Sequence, residues 1–331
     1  MLTLIIITIS IALIFDFLNG MNDAANSIAT VISTRVLSPK IAVAWAAFFN
    51  FAAVFFFGVH VATTIGKGIV DPAFVDAYLI LSALLGSVIW TYFCTHFGMP
   101  ISVSHALIGG MIGPALISYG MKGLIIAGIT KVIIFIVLSP VLGFVLGYII
   151  MVLTLHAFKS STPRKVDIHF RTLQLLSSAV LSLAHGTNDA QKTMGIIAVL
   201  LYSTGYLGET FHVPYWVIIA SYSTISLGTL AGGWKVIKNI GVGLTDLKPV
   251  HGFCAQTAGS LTILGASLAG IPVSTTHTIT GSIMGVGITR RLSAVHWGLA
   301  GHIVLAWVFT IPATMIVSGL LYLVIKTIFV P

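Results

Sequence analysis

Of 331 residues, 57% are hydrophobic and only 7% charged, with a mean hydropathy of +1.07. So little polar surface excludes a soluble globule of this size and points to an integral membrane protein. Sixteen basic against eight acidic residues leave a net charge of +8, and because the basic residues gather between apolar runs, the excess reads as membrane topology and not as a nucleic-acid surface.

Apolar stretches close to the roughly 20 residues needed to cross a bilayer recur from end to end, and helices are expected because lipid offers no partner to a free backbone group. The first predicted span runs from about residue 3 to 33. It has no basic segment in front and leads straight into a polar motif, as expected of a span and not of a cleaved leader. Further spans are predicted at roughly 39 to 66, 76 to 97, 100 to 119 and 121 to 155. A polar stretch, Lys159-Ser160-Ser161-Thr162-Pro163-Arg164-Lys165, follows as the clearest loop. The second set is predicted at roughly 170 to 202, 214 to 234, 250 to 270, 272 to 290 and 295 to 328. Segments 121 to 155 and 295 to 328 contain Pro140 and Pro312, so each admits division into two short spans, with the neighbouring Pro-Ser segments as re-entrant hairpins.

Two motif pairs show that the chain is duplicated. Asn19-Gly20-Met21-Asn22-Asp23-Ala24-Ala25-Asn26-Ser27 shares a Gly-x-Asn-Asp-Ala core with His185-Gly186-Thr187-Asn188-Asp189-Ala190-Gln191-Lys192. Gly98-Met99-Pro100-Ile101-Ser102-Val103-Ser104-His105 pairs with Gly270-Ile271-Pro272-Val273-Ser274-Thr275-Thr276-His277. The expected organisation is a first membrane repeat at 1–155, a cytoplasmic linker at 156–169 and a second membrane repeat at 170–331. The lone cysteines, Cys94 and Cys254, lack metal-ligand spacing and read as packing residues.

With the N-terminus outside and one crossing per segment, eleven basic residues, among them Arg35, Lys159, Lys235, Arg290 and Arg291, fall on the cytoplasmic side and only Lys67, Lys122 and Lys326 outside. Five crossings per half is odd, so the second copy enters the membrane from the opposite face. The predicted fold is an all-α polytopic membrane protein of two inverted-topology repeats, each of about five membrane segments, with broken or re-entrant helices at the Pro-Ser/Thr motifs. That is the architecture of secondary transporters working by alternating access.

An ionised Asp at bilayer depth costs at least about 2.5–3.5 kcal/mol, so Asp23 and Asp189 are expected to face a polar cavity. Asn22, Asn26 and Asn188 add neutral oxygens, and Gly20 and Gly186 are expected to let the helix unwind and expose carbonyls. Such donors suit a small coupling cation, Na+ or H+, and no further cofactor is expected. An ion pair of Asp23 with Lys192 is the plain structural alternative. In the Pro motifs, Ser102, Ser104, Ser274, Thr275 and Thr276 stand at helix starts, where hydroxyls and free N–H groups make a cradle for a tetrahedral oxyanion. The competing reading is that these hydroxyls cap helices or bond back to carbonyls. His105, His277, Gln191 and Lys192 are possible accessory residues. Asp16 lies two turns before Asp23 and shares its face.

These motifs, in this order over nearly the whole chain, resemble the signatures of the inorganic phosphate transporter (PiT) family. The resemblance implies a cation-coupled phosphate symporter, with phosphate between the two Pro-Ser/Thr hairpins and the cations near the Asn-Asp motifs, Asp23 and Asp189 holding Na+ if sodium drives transport. It also implies both termini outside and a homodimer in the lipid bilayer. The compact form suits a bacterial or archaeal cytoplasmic membrane. Two positions depart from the family's pattern: Lys192 stands where the first repeat has Asn26, and Gln256 ends the segment Gly252-Phe253-Cys254-Ala255-Gln256, where the family often has Glu. The first leaves Na+, H+ or a neutral metal-phosphate complex open as the coupled species. A sulfate permease is the alternative within this architecture, and an intramembrane aspartyl protease, two Asp sharing a proton, the alternative from another class.

Overall fold

The computed structural model describes residues 1–56 and 58–329, and these are largely helical. The first repeat comprises α1 (Leu2–Ser33), α2 (Pro39–Ala52), α3 (His60–Gly68), α4 (Ala77–Phe97), α5 (Val103–Tyr119) and α6 (Ile126–Ala157). The second repeats that order as α7 (Pro163–Ser203), α8 (Tyr215–Ala231), α9 (Trp234–Gly243), α10 (Pro249–Leu268), α11 (Thr275–Ile288) and α12 (Trp297–Phe329). Helix starts follow local chemistry. Pro39, Pro163 and Pro249 stand in first turns, where a missing N–H costs nothing, and the Asp76 carboxylate accepts from Leu79 N at 2.7 Å.

Several predicted boundaries shift. The span expected at 39 to 66 is two helices, whereas that expected at 214 to 234 is α8, which meets the unpredicted α9 at 75° across Gly232-Gly233. Pro140 and Pro312 lie inside α6 and α12 without dividing them. Residues 158–162, within the predicted linker at 156–169, separate α6 from α7, whose first turns carry most of the rest of that stretch. Among the described residues, α1, α4, α6 and α12 are long and apolar enough to cross a bilayer alone, and six spans result if each bent pair counts as one. Helix α5, at 17 residues, and α11, at 14, reach only roughly 25 and 21 Å at 1.5 Å per residue. Each follows an extended segment that carries its Pro-Ser motif.

The repeats are inverted, and helix ends show it. The open end of the α4–α5 hairpin lies beside the first turn of α6, where Asp71 N donates to Gly123 O at 3.0 Å and the Phe74 and Tyr119 rings meet at 4.9 Å. The open end of the α10–α11 hairpin lies beside the last turns of α6, where Lys248 and Arg290 share a cavity of about 320 Å³ with Met151 and Leu155. Helix α6 has 32 residues, roughly 48 Å of continuous helix, so the hairpins open at opposite ends of it. Each hairpin's second arm packs on the last helix of the other repeat, α11 on α6 and α5 on α12.

The motif helices α1 and α7 cross at the centre and stay helical throughout. Gly20 and Gly186 therefore do not unwind them, contrary to expectation. They permit contact instead: a Cβ on Gly20 would stand 2.0 Å from Ile225 O of α8, and one on Gly186 2.6 Å from Asn50 O of α2.

Candidate functional site

Helical spacing sets the site. On α1, Asp16, Asn19, Asn22, Asp23 and Asn26 recur at intervals of three and four and share one face. On α7, His185, Asn188, Asp189 and Lys192 do the same. All are buried. The Pro motifs bring hydroxyls to the same place because Gly98 and Gly270 take left-handed φ of +72° and +66°, ending α4 and α10 and turning the chain into the extended segments.

The cluster is densely bonded. Thr276 Oγ1 donates to Asp23 Oδ1 at 3.0 Å. The Thr275 hydroxyl lies 3.4 Å from Asp23 Oδ2 and 3.3 Å from Asp189 Oδ2, one proton between two carboxylates. Asn26 Nδ2 donates to both threonines, at 3.2 and 3.0 Å. Lys192 Nζ donates to Asp189 Oδ1 at 2.5 Å, to Val273 O at 3.0 Å and to Ser104 Oγ. The lysine thus pairs with Asp189 on its own helix, not with Asp23 as the structural alternative supposed. Asn22 and Asn188 are used in parallel: Asn22 Nδ2 donates to Thr95 Oγ1 at 2.7 Å and Asn188 Nδ2 to Ser267 Oγ at 2.8 Å.

The five hydroxyls separate by role. Ser104, Thr275 and Thr276 face the charged cluster. Ser102 and Ser274 are N-caps, accepting from His105 N at 3.3 Å and His277 N at 3.2 Å. His105 and His277 meet edge to face, ring centroids 4.6 Å apart, and His277 stacks on Trp307 at 3.6 Å, which joins the starts of α5, α11 and the body of α12. Gln191 bonds to α3: its Oε1 accepts from Val61 N and Ala62 N at 2.8 and 3.3 Å, and its Nε2 donates to Gly58 O at 2.7 Å. It satisfies orphan groups at a helix start. Asp16 joins the region through Thr193, whose hydroxyl donates to its Oδ1 at 2.9 Å.

His185 has a larger part than its sequence position suggests. Its Nδ1 lies 3.2 Å from Asn50 Oδ1, and because Asn50 Nδ2 donates to Thr229 Oγ1 at 2.9 Å, that oxygen is the acceptor and Nδ1 carries the proton. The other ring nitrogen, Nε2, faces Asp189 Oδ2, 3.3 Å away, with Asp23 Oδ2 at 4.0 Å. Three atoms able to ligate a metal ion, one each from Asp23, His185 and Asp189, converge within 4.8 Å in a buried place. A proton on Nε2 or a metal cation relieves the repulsion of the two carboxylates, to which the Thr275 hydroxyl brings one further proton. The sequence signal for His185 was its place one turn before Asp189, and for Asn50 a lone amide in an apolar run.

Comparisons with known proteins agree with this geometry. A family described as the phosphate transporter family matches twice, over residues 19–165 and 155–318. A protein of Rhizobium meliloti named "Probable low-affinity inorganic phosphate transporter" is 54% identical over 314 residues, covering 95% of this chain and 94% of that protein. A Bacillus subtilis protein of the same name is 40% identical over 331 residues, covering 99% of both. A solved structure titled "The sodium-dependent phosphate transporter" superimposes with a TM-score of 0.92 at 28% identity, over 99% of this chain and 100% of that one. These relatives are transporters and not enzymes, which removes the protease reading of the paired aspartates. Matched in both halves and over nearly its full length, the chain belongs to the phosphate transporter family.

Proposed function

We propose that the chain imports inorganic phosphate across the cytoplasmic membrane by symport with a cation, Na+ or H+, its termini outside. The observation that carries this reading is the convergence of Asp23 Oδ2, Asp189 Oδ2 and His185 Nε2 beside the hydroxyls of Thr275 and Thr276. Those hydroxyls donate to the carboxylates. A cation taken up by the carboxylates weakens that bond and turns the hydroxyls, with the N–H groups of their helix start, toward an oxyanion. Anion binding then depends on cation binding, which is the requirement of symport. Carboxylates beside the cradle favour phosphate over sulfate, because protonated phosphate donates a hydrogen bond to them and sulfate has no proton to give. The name of the solved structural relative makes Na+ the first ion to try.

Uptake of labelled phosphate into liposomes tests this, with Na+ and pH gradients imposed separately and excess sulfate as competitor. Accumulation driven by one gradient and indifferent to sulfate is expected. Equilibration without accumulation refutes coupling, and sulfate transport in place of phosphate refutes the substrate.

A further inference from the structure

The two repeats supply unequal chemistry to their equivalent positions. On α7, Lys192 carries an ammonium with three protons, and three oxygens receive them: a carboxylate (Asp189 Oδ1), a backbone carbonyl at the helix break (Val273 O) and a hydroxyl (Ser104 Oγ). The side chain is fully buried. Carboxylate, carbonyl and hydroxyl oxygens are the hard donors that hold a small cation. On α1 the equivalent residue is Asn26, which brings no charge. There the carboxylate is Asp23, and buried oxygens lack a hydrogen-bond partner: Asp16 Oδ2, Asn19 Oδ1, Asn22 Oδ1 and Asn26 Oδ1, all on the face that carries Asp23. Among the described residues of the equivalent stretch of α7, Asn188 Oδ1 is the one such oxygen. Among the described residues, Lys192 is the one lysine or arginine placed against these three buried carboxyl groups, and it sits on Asp189, so Asp16 and Asp23 of the first repeat have no such partner.

We propose that the Lys192 ammonium is a tethered cation: it fills, in the second repeat, the oxygen site that a mobile coupling cation takes in the first, and so lowers by one the number of cations carried with each phosphate. This rests on the symport reading above and specifies which half of the site takes the cation. Lysine is the one side chain that supplies a compact point charge on a stem long enough to be anchored outside the ligand set. As it cannot leave, Asp189 Oδ1 keeps its partner throughout the cycle, and the mobile cation is taken up on the Asp23 side, which Asp189 Oδ2 borders.

The test is the Lys192→Asn variant, which restores at this position the residue of the first repeat, together with wild type in liposomes. The reversal potential of phosphate flux and the steepness of uptake against Na+ or H+ concentration both report cations per phosphate. K192N is expected to carry one more cation, with a concentration dependence steeper by about one power. Unchanged stoichiometry in an active K192N overturns the proposal. So does a folded K192N that stays inactive at high Na+ or methylammonium, since a free cation should replace a tethered one. If K192N cannot be purified, Asn26→Lys runs the test in reverse, and an active N26K with unreduced steepness overturns the proposal. Phosphate is not needed for one further readout. A rise in the melting temperature of K192N over that of wild type with Na+ (against choline) or with falling pH is expected even if phosphate proves to be the wrong substrate; the absence of both counts against the tethered cation alone.

Discussion

Replacing Thr275 by Val keeps the volume of the side chain and removes only its hydroxyl, which stands between Asp23 and Asp189 and accepts from Asn26. A hydrogen bond to a charged group contributes about 1.5–3 kcal/mol. One proton serves one carboxylate at a time, and separations of 3.3 and 3.4 Å place the bond at the weak end, near 1.5 kcal/mol. If that hydroxyl turns from carboxylate to phosphate during transport and bonds the phosphate at full strength, about 3 kcal/mol, T275V loses the difference of about 1.5 kcal/mol and raises the KM for phosphate by about tenfold, since 1.4 kcal/mol is a factor of ten. Ser274→Ala provides the contrast one residue away. Its Oγ caps α11 through His277 N, so S274A is expected to cost about 1 kcal/mol of stability and leave KM in place. Initial uptake rates against phosphate at a fixed cation gradient, with thermal unfolding in detergent, separate the two. An S274A protein whose KM rises as far as that of T275V, or a T275V protein with unchanged KM, refutes the division of the hydroxyls into caps and ligands.

The paired aspartates should respond differently to the same change. Both Asp23→Asn and Asp189→Asn are expected to abolish accumulation, but D189N also strips Lys192 of its partner and should lose about 3–5 kcal/mol, visible as a lower melting temperature, whereas D23N stays close to wild type. Gly20→Ala sets a methyl 2.0 Å from the backbone oxygen of Ile225, which has no side-chain end to swing away, so α1 and α8 must part; a loss of about 1–3 kcal/mol is expected, and an unaltered melting temperature would show that the crossing has slack. Gln191→Leu leaves Val61 N and Gly58 O unpaired, and faster amide hydrogen exchange confined to α3, with phosphate KM unchanged, is the expected result. Thr64→Val and Asn239→Ala each remove a bond to the carbonyl at a break, Gly270 O at 2.6 Å and Gly98 O at 2.7 Å. Loss of about 1 kcal/mol from either should move the equilibrium between faces in opposite directions, as read by labelling of introduced cysteines from the two sides; shifts in one direction would contradict it.

The motif pairs were legible in sequence because amides and charges are conspicuous in apolar runs, and their offsets gave the duplication without any structure. Inversion followed from an odd count of segments, although several of those segments proved to be broken or short of a full crossing. What the sequence hid depends on neighbours distant along the chain. Gly232-Gly233 marks the α8–α9 bend plainly enough, but Gly20 and Gly186 look the same as hinge glycines and become contact glycines only once α8 and α2 lie against them. Ser102 and Ser104 are both hydroxyls after a proline; that one caps its helix and the other meets Lys192 follows from where α7 passes. The pairing of Lys192 with Asp189 could have been read from their i, i+3 spacing. The role of His185 could not, because its tautomer is set by Asn50, 135 residues away.

Each break in the chain is held by the opposite repeat. Thr64 of the first half bonds Gly270 O of the second, while Asn239 and Lys235 of the second bond Gly98 O and His96 O of the first. The same exchange governs the centre, where Thr276 of the second repeat donates to Asp23 of the first and Ser104 of the first receives Lys192 of the second. A hydroxyl in one hairpin therefore senses the charge state of the other repeat's motif helix. If Asp23 takes up the mobile cation and Asp189 keeps a tethered one, that sensing is unequal. The α10–α11 hairpin is released when the cation arrives, whereas the α4–α5 hairpin stays bound to an ammonium that never leaves. Two gates of the same ancestry and opposite orientation then answer to a single ion, which is enough to make their opening alternate.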